Sequence, residues 1–432
     1  MTAGRCESAV LFFRKYFLEG QQVSDVVRKQ AVDPRAPWWQ RHRKLVSIAL
    51  PILLVWGFWW PFMASGDRWH LFREPGSAGS GSERWELALT MVFGSFVAGS
   101  TSEGGAAVAF PVMTLALGVP PPVARDFSFM IQSVGMVAAA FSITVMRVRV
   151  EWRAVLHVSL GGAVGLVFSL HHVAPRLTPA YSKMYFVMIW SAFAFSLFWL
   201  NRLHGRRTFA VIPRWGQGAT FAARHWRAAV LHAFGFVGGV FSGMAGSGID
   251  ICSFACLTLL FRVSEKTATP TSVVLMGVNT AVGFLYRELG MGGVEAAAWP
   301  FLWVCMPIVV IGAPLGAMCG SYFHRLTLAW LIYVIDFAQL VGALAIVRPW
   351  LSKARGGKTD TPLHLTLSSA AIFCFGALFF RMVALLGVRL MESVQQEEEK
   401  EQQGRAGATP CAADAEGGAV VVAEAGAVAS TV

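Results

Sequence analysis

Charge is what this chain has least of. Asp, Glu, Lys and Arg make up 14% of its 432 residues, against about 25% in an ordinary soluble domain. With 55% apolar residues, that shortage excludes a disordered chain and most soluble enzymes. Negative charge is the scarcer sign, with 25 Asp and Glu against 36 Lys and Arg and a net charge of +11. In a soluble protein such a balance points to nucleic acid. Here the basic residues fall between apolar stretches, so the positive-inside rule accounts for them and no nucleic acid partner is expected. Cysteine is too sparse for a disulfide scaffold. The seven residues (6, 252, 256, 305, 319, 374, 411) are scattered. Cys252 and Cys256 lie one helical turn apart with no further Cys or His to complete a metal set, and the cysteines read as small apolar packers. His171-His172 likewise lacks a third ligand. No H-E-x-x-H, P-loop or Ser/His/Asp order is present. No catalytic residue, metal or cofactor is therefore expected, and the chain does not read as an enzyme.

Long apolar runs are what the chain has instead. Residues 1–44, with nine Lys and Arg, lack the apolar core of a cleavable secretory signal. They read as a basic cytoplasmic segment with a membrane-surface helix around Leu11–Leu18. An extra N-terminal span covers 45–63 and ends in the aromatic cluster Trp56, Phe58, Trp59 and Trp60, suited to the membrane interface. After a Gly/Ser loop at 64–85 comes Glu86–Val119, about 34 residues. That is too long for one straight crossing of a ~30 Å hydrocarbon layer, and G-S-T-S-E-G-G (Gly99–Gly105) interrupts it. Spans follow at Ala124–Met146, Trp152–Val173 and Ala180–Leu200. A basic loop covers 201–227. A second long segment, Ala228–Phe261, is broken at G-M-A-G-S-G (Gly243–Gly248). Thr267–Tyr286, Ala297–Cys319 and Leu326–Val347 complete a second block at 228–347, to match a first at 86–200. An extra C-terminal span occupies 368–390, and the tail 391–432 starts acidic and then becomes Ala/Gly-rich, a fraying helix followed by disorder.

The two blocks repeat one another. At an offset of 144 residues, Gly94 meets Gly238, Gly99 meets Gly243, Gly104 meets Gly248, Phe110 meets Phe254, Thr114 meets Thr258 and Ser128 meets Ser272 without a gap. Paired, interrupted apolar segments are the best sequence pointer to the binding site of a secondary transporter. If the N-terminus lies inside and each broken segment returns to its starting side, inside loops hold 21 Lys and Arg and outside loops 10, as the positive-inside rule asks. The fold class expected is an all-α polytopic membrane protein of two inverted repeats of about four spans. Each repeat starts with a broken, re-entrant segment, and extra spans flank the pair.

The breaks carry the candidate chemistry. The first offers Ser100, Thr101, Ser102, Gly104 and Gly105, and the second Gly246, Ser247 and Gly248. Non-helical backbone at membrane depth requires a protein or water cavity around it. The half-helix after each break points free N–H groups and a positive dipole end there, so a small anion is the natural ligand. The competing explanation is close helix crossing through small residues. Ser128, Thr271, Ser272, Gln132 and Asn279 are further candidates on the following spans, against the alternative that each makes an interhelical hydrogen bond. Glu103 and Asp250 are acids at the breaks. Intramembrane acids are functional hypotheses by default, so both are candidates for coupling to an ion gradient; the alternative is a carboxylate complementing a helix dipole. Arg125 and Asp126 pair with each other or cap their helix. Asp336, in the last core span, has no assigned role beyond pairing with another polar group. Arg381 in the C-terminal span reaches an interface by snorkelling.

These motifs resemble the sulfite exporter TauE/SafE family, whose pattern is two copies of roughly G-x-x-G-x-G-G-G-x-x-x-x-P, each followed by A-x-x-T-S. The first copy keeps Gly99, Gly104, Gly105 and Pro111 and departs at Ser102, Glu103 and Ala106. The second keeps Gly243, Gly246 and Gly248, with Ile249, Asp250 and Ala255 as departures. A-x-x-T-S is complete at Ala268, Thr271 and Ser272, whereas Phe127 replaces Thr in the first copy. The resemblance covers about 86–347. It implies a secondary transporter exporting sulfite, sulfonates or related small organic anions, driven by an ion gradient. Its partners would be a small anionic substrate and membrane lipid. Uptake of such an anion, or a non-transporting membrane receptor or scaffold, remains the alternative; a membrane-embedded enzyme ranks below both.

Overall fold

The computed structural model describes residues 16–17, 37–75, 83–201, 208–217, 220–351 and 362–407. The expected surface helix at 11–18, apart from Tyr16 and Phe17, and the tail beyond 407 lie outside them. Among the described residues every regular element is a helix, with isolated bridges at Pro75–Glu83 and Phe209–Val263. Among the described residues nine helices are long and apolar enough to cross a membrane, and the protein is an integral, multi-pass membrane protein.

The order is α1 (Arg43–Ser65), α2 (Arg84–Ser100), α3 (Ala106–Pro111), α4 (Pro121–Val145), α5 (Trp152–Phe168), α6 (Pro179–Asn201), α7 (Phe221–Ala245), α8 (Ile249–Ala255), α9 (Glu265–Leu285), α10 (Ala298–Gly320), α11 (Arg325–Val347) and α12 (Pro362–Gly407). Wider turns prolong α3 to Ala116, α5 to Val173, α8 to Leu260 and α9 to Gly290. Two helices outrun the expected spans. α7 starts at Phe221 rather than Ala228 because the Thr220 hydroxyl caps it, accepting from Ala223 N. α12 takes in the Q-Q-E-E-E-K-E-Q-Q run beyond 390, whose Gln, Glu and Lys are good helix formers. The chain divides into a main unit through Val388 and a second from Arg389 onward, whose described part is helical.

Both long segments break where the glycines stand. α2 ends at Ser100 and α3 begins at Ala106; α7 ends at Ala245 and α8 begins at Ile249. The halves lie against one another: a Cβ on Gly94 would sit 3.2 Å from Val108, and one on Gly238 would sit 3.1 Å from Cys252. Those two contacts are the same contact at the 144-residue offset. Packing between the halves is reciprocal too. α2 packs chiefly on α10, and α7 on α5. Gly99 abuts the Ala313 carbonyl and Gly243 abuts Ser169, again equivalent positions. Backbones approach this closely because small residues line both crossings, as in other membrane helix pairs.

Prolines inside these helices each remove a donor from the carbonyl four residues earlier, and three of the orphaned carbonyls are satisfied from a neighbouring helix. Pro51 frees Ser47 O, which accepts from Ser142 Oγ at 2.7 Å. Pro307 frees Trp303 O, which accepts from Trp59 Nε1 at 2.7 Å. Pro111 frees Ala107 O, which accepts from Gln339 Nε2 at 2.7 Å. Without water in the hydrocarbon, such replacement is what makes an interrupted helix tolerable. The first two bonds fasten α1 to the core. α12 is held on α6 and α7 by aromatic contacts, Phe380 on Phe193 and Phe379 on Phe234, with Arg381 over the Trp199 ring at 5.7 Å.

Candidate functional site

The two breaks meet in the centre of the main unit, and both are sealed. Residues 100–107 and 245–263 are buried throughout. Gly104 (φ +72°) is the point of contact: a Cβ there would meet Met276 Sδ, lie 2.9 Å from Gln132 Oε1 and lie 3.0 Å from Asp250 Oδ2. A side chain at this position would therefore push on α4, α8 and α9 together, and the left-handed backbone suits glycine alone. Gly248 (φ +151°) is equally constrained, with Phe241 where its Cβ would stand. Gln132 crosses between the halves, donating to Gly246 O at 2.9 Å, and Ser128 lies against Gly246.

The two breaks differ in what occupies their amides. In the second, Ser247 Oγ donates to Asp250 Oδ2 at 2.9 Å, the N–H groups of Gly248, Asp250 and Ile251 lie about the same carboxylate, and Ile249 N donates to Ser242 Oγ. The chain's own carboxyl group thus stands at the N-terminus of α8. The residue equivalent to Asp250 in the first repeat is Ala106. In the first break Glu103 N donates to Thr101 Oγ1, while the N–H groups of Gly104, Gly105 and Ala106 take no part in its hydrogen bonds. Asp250 thus stands at the amides of the second break, whereas the amides of the first are open and its acid, Glu103, lies away from them.

Glu103 is fully buried, and neither of its oxygens has a donor. Its side-chain neighbour across the packing is Asp336 of α11, within hydrogen-bonding reach, with Asp250 further off. Asp336 is 2% exposed and also lacks a donor. Asp336, expected only to pair with another polar group, and Gln339, which carried no expectation, both stand at the site. The signal that could have found Asp336 is its charge within an otherwise apolar span; Gln339 needed the knowledge that Pro111 strips Ala107 O of its donor.

Of the expected site residues, Glu103, Gly104, Gly105, Ser102, Gln132, Ser128, Gly246, Ser247, Gly248 and Asp250 come together at or beside the breaks. Ser100 and Thr101 also lie there, but their hydroxyls donate back to Val97 O. Ser272 is buried with its hydroxyl on Thr269 O. Thr271 is engaged elsewhere, donating to Thr267 O and accepting from Glu151 N. Asn279 joins α9 to α5 through Ser159 Oγ at 3.0 Å, the interhelical bond weighed above. Arg125 and Asp126 do pair, and Arg287 and Glu295 N bind the same carboxylate. His171 bonds the Tyr286 hydroxyl. Among the described residues no three His, Cys, Asp or Glu are grouped to hold a metal ion.

No curated protein and no solved structure matches the chain. A family match does exist, described as sulfite exporter TauE/SafE, over residues 87–343. It begins in α2 and ends in α11, so it takes in both breaks and omits α1 and α12. With more than half its length matched, the chain belongs to the sulfite exporter TauE/SafE family of membrane transporters.

Proposed function

We propose that the protein is a secondary transporter exporting a small sulfur-containing anion, sulfite or a sulfonate, by alternating access between two inverted repeats. The observation that carries this is the meeting of two glycine breaks, 144 residues apart in sequence, at one buried centre with unengaged amides on one side. Reciprocal packing of α2 on α10 and α7 on α5 is what a two-fold axis between the halves produces, and the Lys and Arg distribution favours placing that axis in the membrane plane. The fold-back of α2 on α3 and of α7 on α8 supports the re-entrant reading. The anion would be held by the N–H groups of Gly104, Gly105 and Ala106, with Ser102, Ser128 and Gln132 beside them. Glu103 and Asp250 would couple its passage to an ion gradient. A buried, sealed site fits an occluded state between the two open ones.

The test is flux into proteoliposomes with radiolabelled sulfite, sulfate and taurine, with and without a pH gradient. Sulfite or taurine should move faster than into protein-free vesicles, and the gradient should change the rate. Absence of flux for all three, with the protein in the bilayer, would move the account to a membrane receptor or scaffold.

A further inference from the structure

Two carboxyls, Glu103 and Asp336, neighbour one another at the core of the protein, and none of their four oxygens receives a hydrogen bond from any other residue. Buried polar atoms are nearly always hydrogen-bonded, and two bare carboxylates side by side repel. One proton between them removes both difficulties at once. Their approach is built. Gln339, one turn beyond Asp336 on α11, is anchored to Ala107 O, and Ala107 is four residues beyond Glu103 at the start of α3. The same face of α11 thus carries both the bond to α3 and the acid that acts on Glu103.

Unpartnered acceptors stand on the neighbouring elements as well. Gln132 Oε1 and Gln339 Oε1 are buried and unpartnered, as is Asp250 Oδ1. Such a set calls for a cation, and a proton is the cation that two adjacent carboxyls can share between them; among the described residues no three His, Cys, Asp or Glu are grouped for a metal. The ionisable groups around the pair can be named by element. α8 brings Asp250, which has Ser247 as its own donor, and Cys252 beside it. α6 brings Lys183, whose ammonium is bound to Thr114 O at the far end of α3. α4 brings Arg125 and Asp126, tied to Arg287 of α9's extension. Among the described residues, Asp250 is the one ionisable group besides Asp336 acting on Glu103.

We propose that the Glu103–Asp336 pair is the proton carrier of this transporter, and that proton and anion bind together. This rests on the anion-transport reading. With one shared proton the pair carries a single negative charge, which opposes an anion on the neighbouring N–H groups. A second proton, taken from water on the acidic side, neutralises the pair and lets the anion bind. On the other side the anion leaves and that proton returns to water; only O–H bonds form and break. Because the two travel together, net movement runs toward the less acidic compartment. Export, the direction proposed above, is therefore expected where the compartment that the anion leaves is the more acidic one.

The test uses the full chain in lipid, in three measurements. Infrared difference spectra should show a protonated-carboxyl carbonyl stretch in the wild type that both Glu103→Gln and Asp336→Asn remove. Radiolabelled sulfite should accumulate against its own gradient when the side it leaves is acidic, with a proton taken up alongside. In both variants that accumulation should fall about tenfold or more, within what one nearby buried charge exerts, while sulfite exchange stays above protein-free vesicles. Doubly substituted protein should be no worse than either single variant. A missing carbonyl band, or one that only one variant removes, overturns the shared proton whether or not sulfite moves. Sulfite flux with wild-type proton coupling in both variants overturns the carrier role and leaves anion transport standing. Accumulation driven by a sodium gradient in place of the pH gradient assigns the site to sodium and overturns the proton. Protein that shows the band but moves no sulfite sinks the transport reading and, with it, this use of the pair.

Discussion

Single residues decide more here than in a soluble protein, because water is not present to complete a missing bond. Asp126 is the clearest structural case. It is fully buried and receives Arg125 at 2.9 Å, Arg287 at 2.8 Å and Glu295 N at 3.0 Å. It thereby ties the start of α4 to the loop before α10. Removing one member of a buried ion pair leaves the other charge uncompensated and costs about 3–5 kcal/mol. Asp126→Ala should therefore lower stability by about that amount, read as the unfolding midpoint in detergent. A loss within about 0.5 kcal/mol, the range of a surface substitution, would mean that the two arginines find other partners. The sequence placed Arg125 with Asp126 through adjacency, but Arg287, 161 residues away from Asp126, could not be seen to join them. Glu103 and Asp336 show the same limit: each was visible as an intramembrane acid, and their pairing depends on how α11 is set against α3.

At the scale of the helix, proline exchange of donors is the recurring device. The Ser142 hydroxyl is worth something to α1 only because Pro51 has stripped Ser47 O of its own donor. Ser142→Ala should cost about 1 kcal/mol in the wild type, where a buried carbonyl is left unsatisfied. In a Pro51→Ala background the helix supplies its own N–H, so the cost should nearly vanish. A double-mutant cycle in detergent measures the difference, and equal costs in both backgrounds would contradict the exchange. Legibility at this scale was uneven for a physical reason. Apolar length and glycine clusters are local properties of the chain, so the breaks at Gly99–Gly105 and Gly243–Gly248 and nearly all the spans could be read from the residues. Helix ends depend on caps and context. Hence α7 begins at Thr220's cap rather than at the first purely apolar residue, whereas the helix through the glutamates after 390 could be read from the residues themselves. Which side chain faces which helix is not local at all, and Gln339 and Trp59 became intelligible only with their neighbours in place.

Across the whole molecule, the 144-residue offset ties sequence to architecture most tightly. It relates the breaks, the fold-back contacts Gly94–Val108 and Gly238–Cys252, and the crossings at Gly99 and Gly243. The departures from that symmetry are chemical. Glu103 is the equivalent of Ser247, and Asp250 of Ala106, so one half carries an acid without a donor and open amides, while in the other the Asp250 carboxyl stands at the amides. A transporter built this way would have a single anion position rather than two. The central claim is that the anion passes where the breaks meet, at the two glycines whose positive φ and close neighbours exclude any side chain. The most direct measurement is radiolabelled sulfite flux through Gly104→Val and Gly248→Val in proteoliposomes, with bilayer insertion checked for each. The account predicts that both variants reach the bilayer and move sulfite no faster than protein-free vesicles. Wild-type flux in both would contradict it, leaving the glycines as helix-packing residues and the path elsewhere.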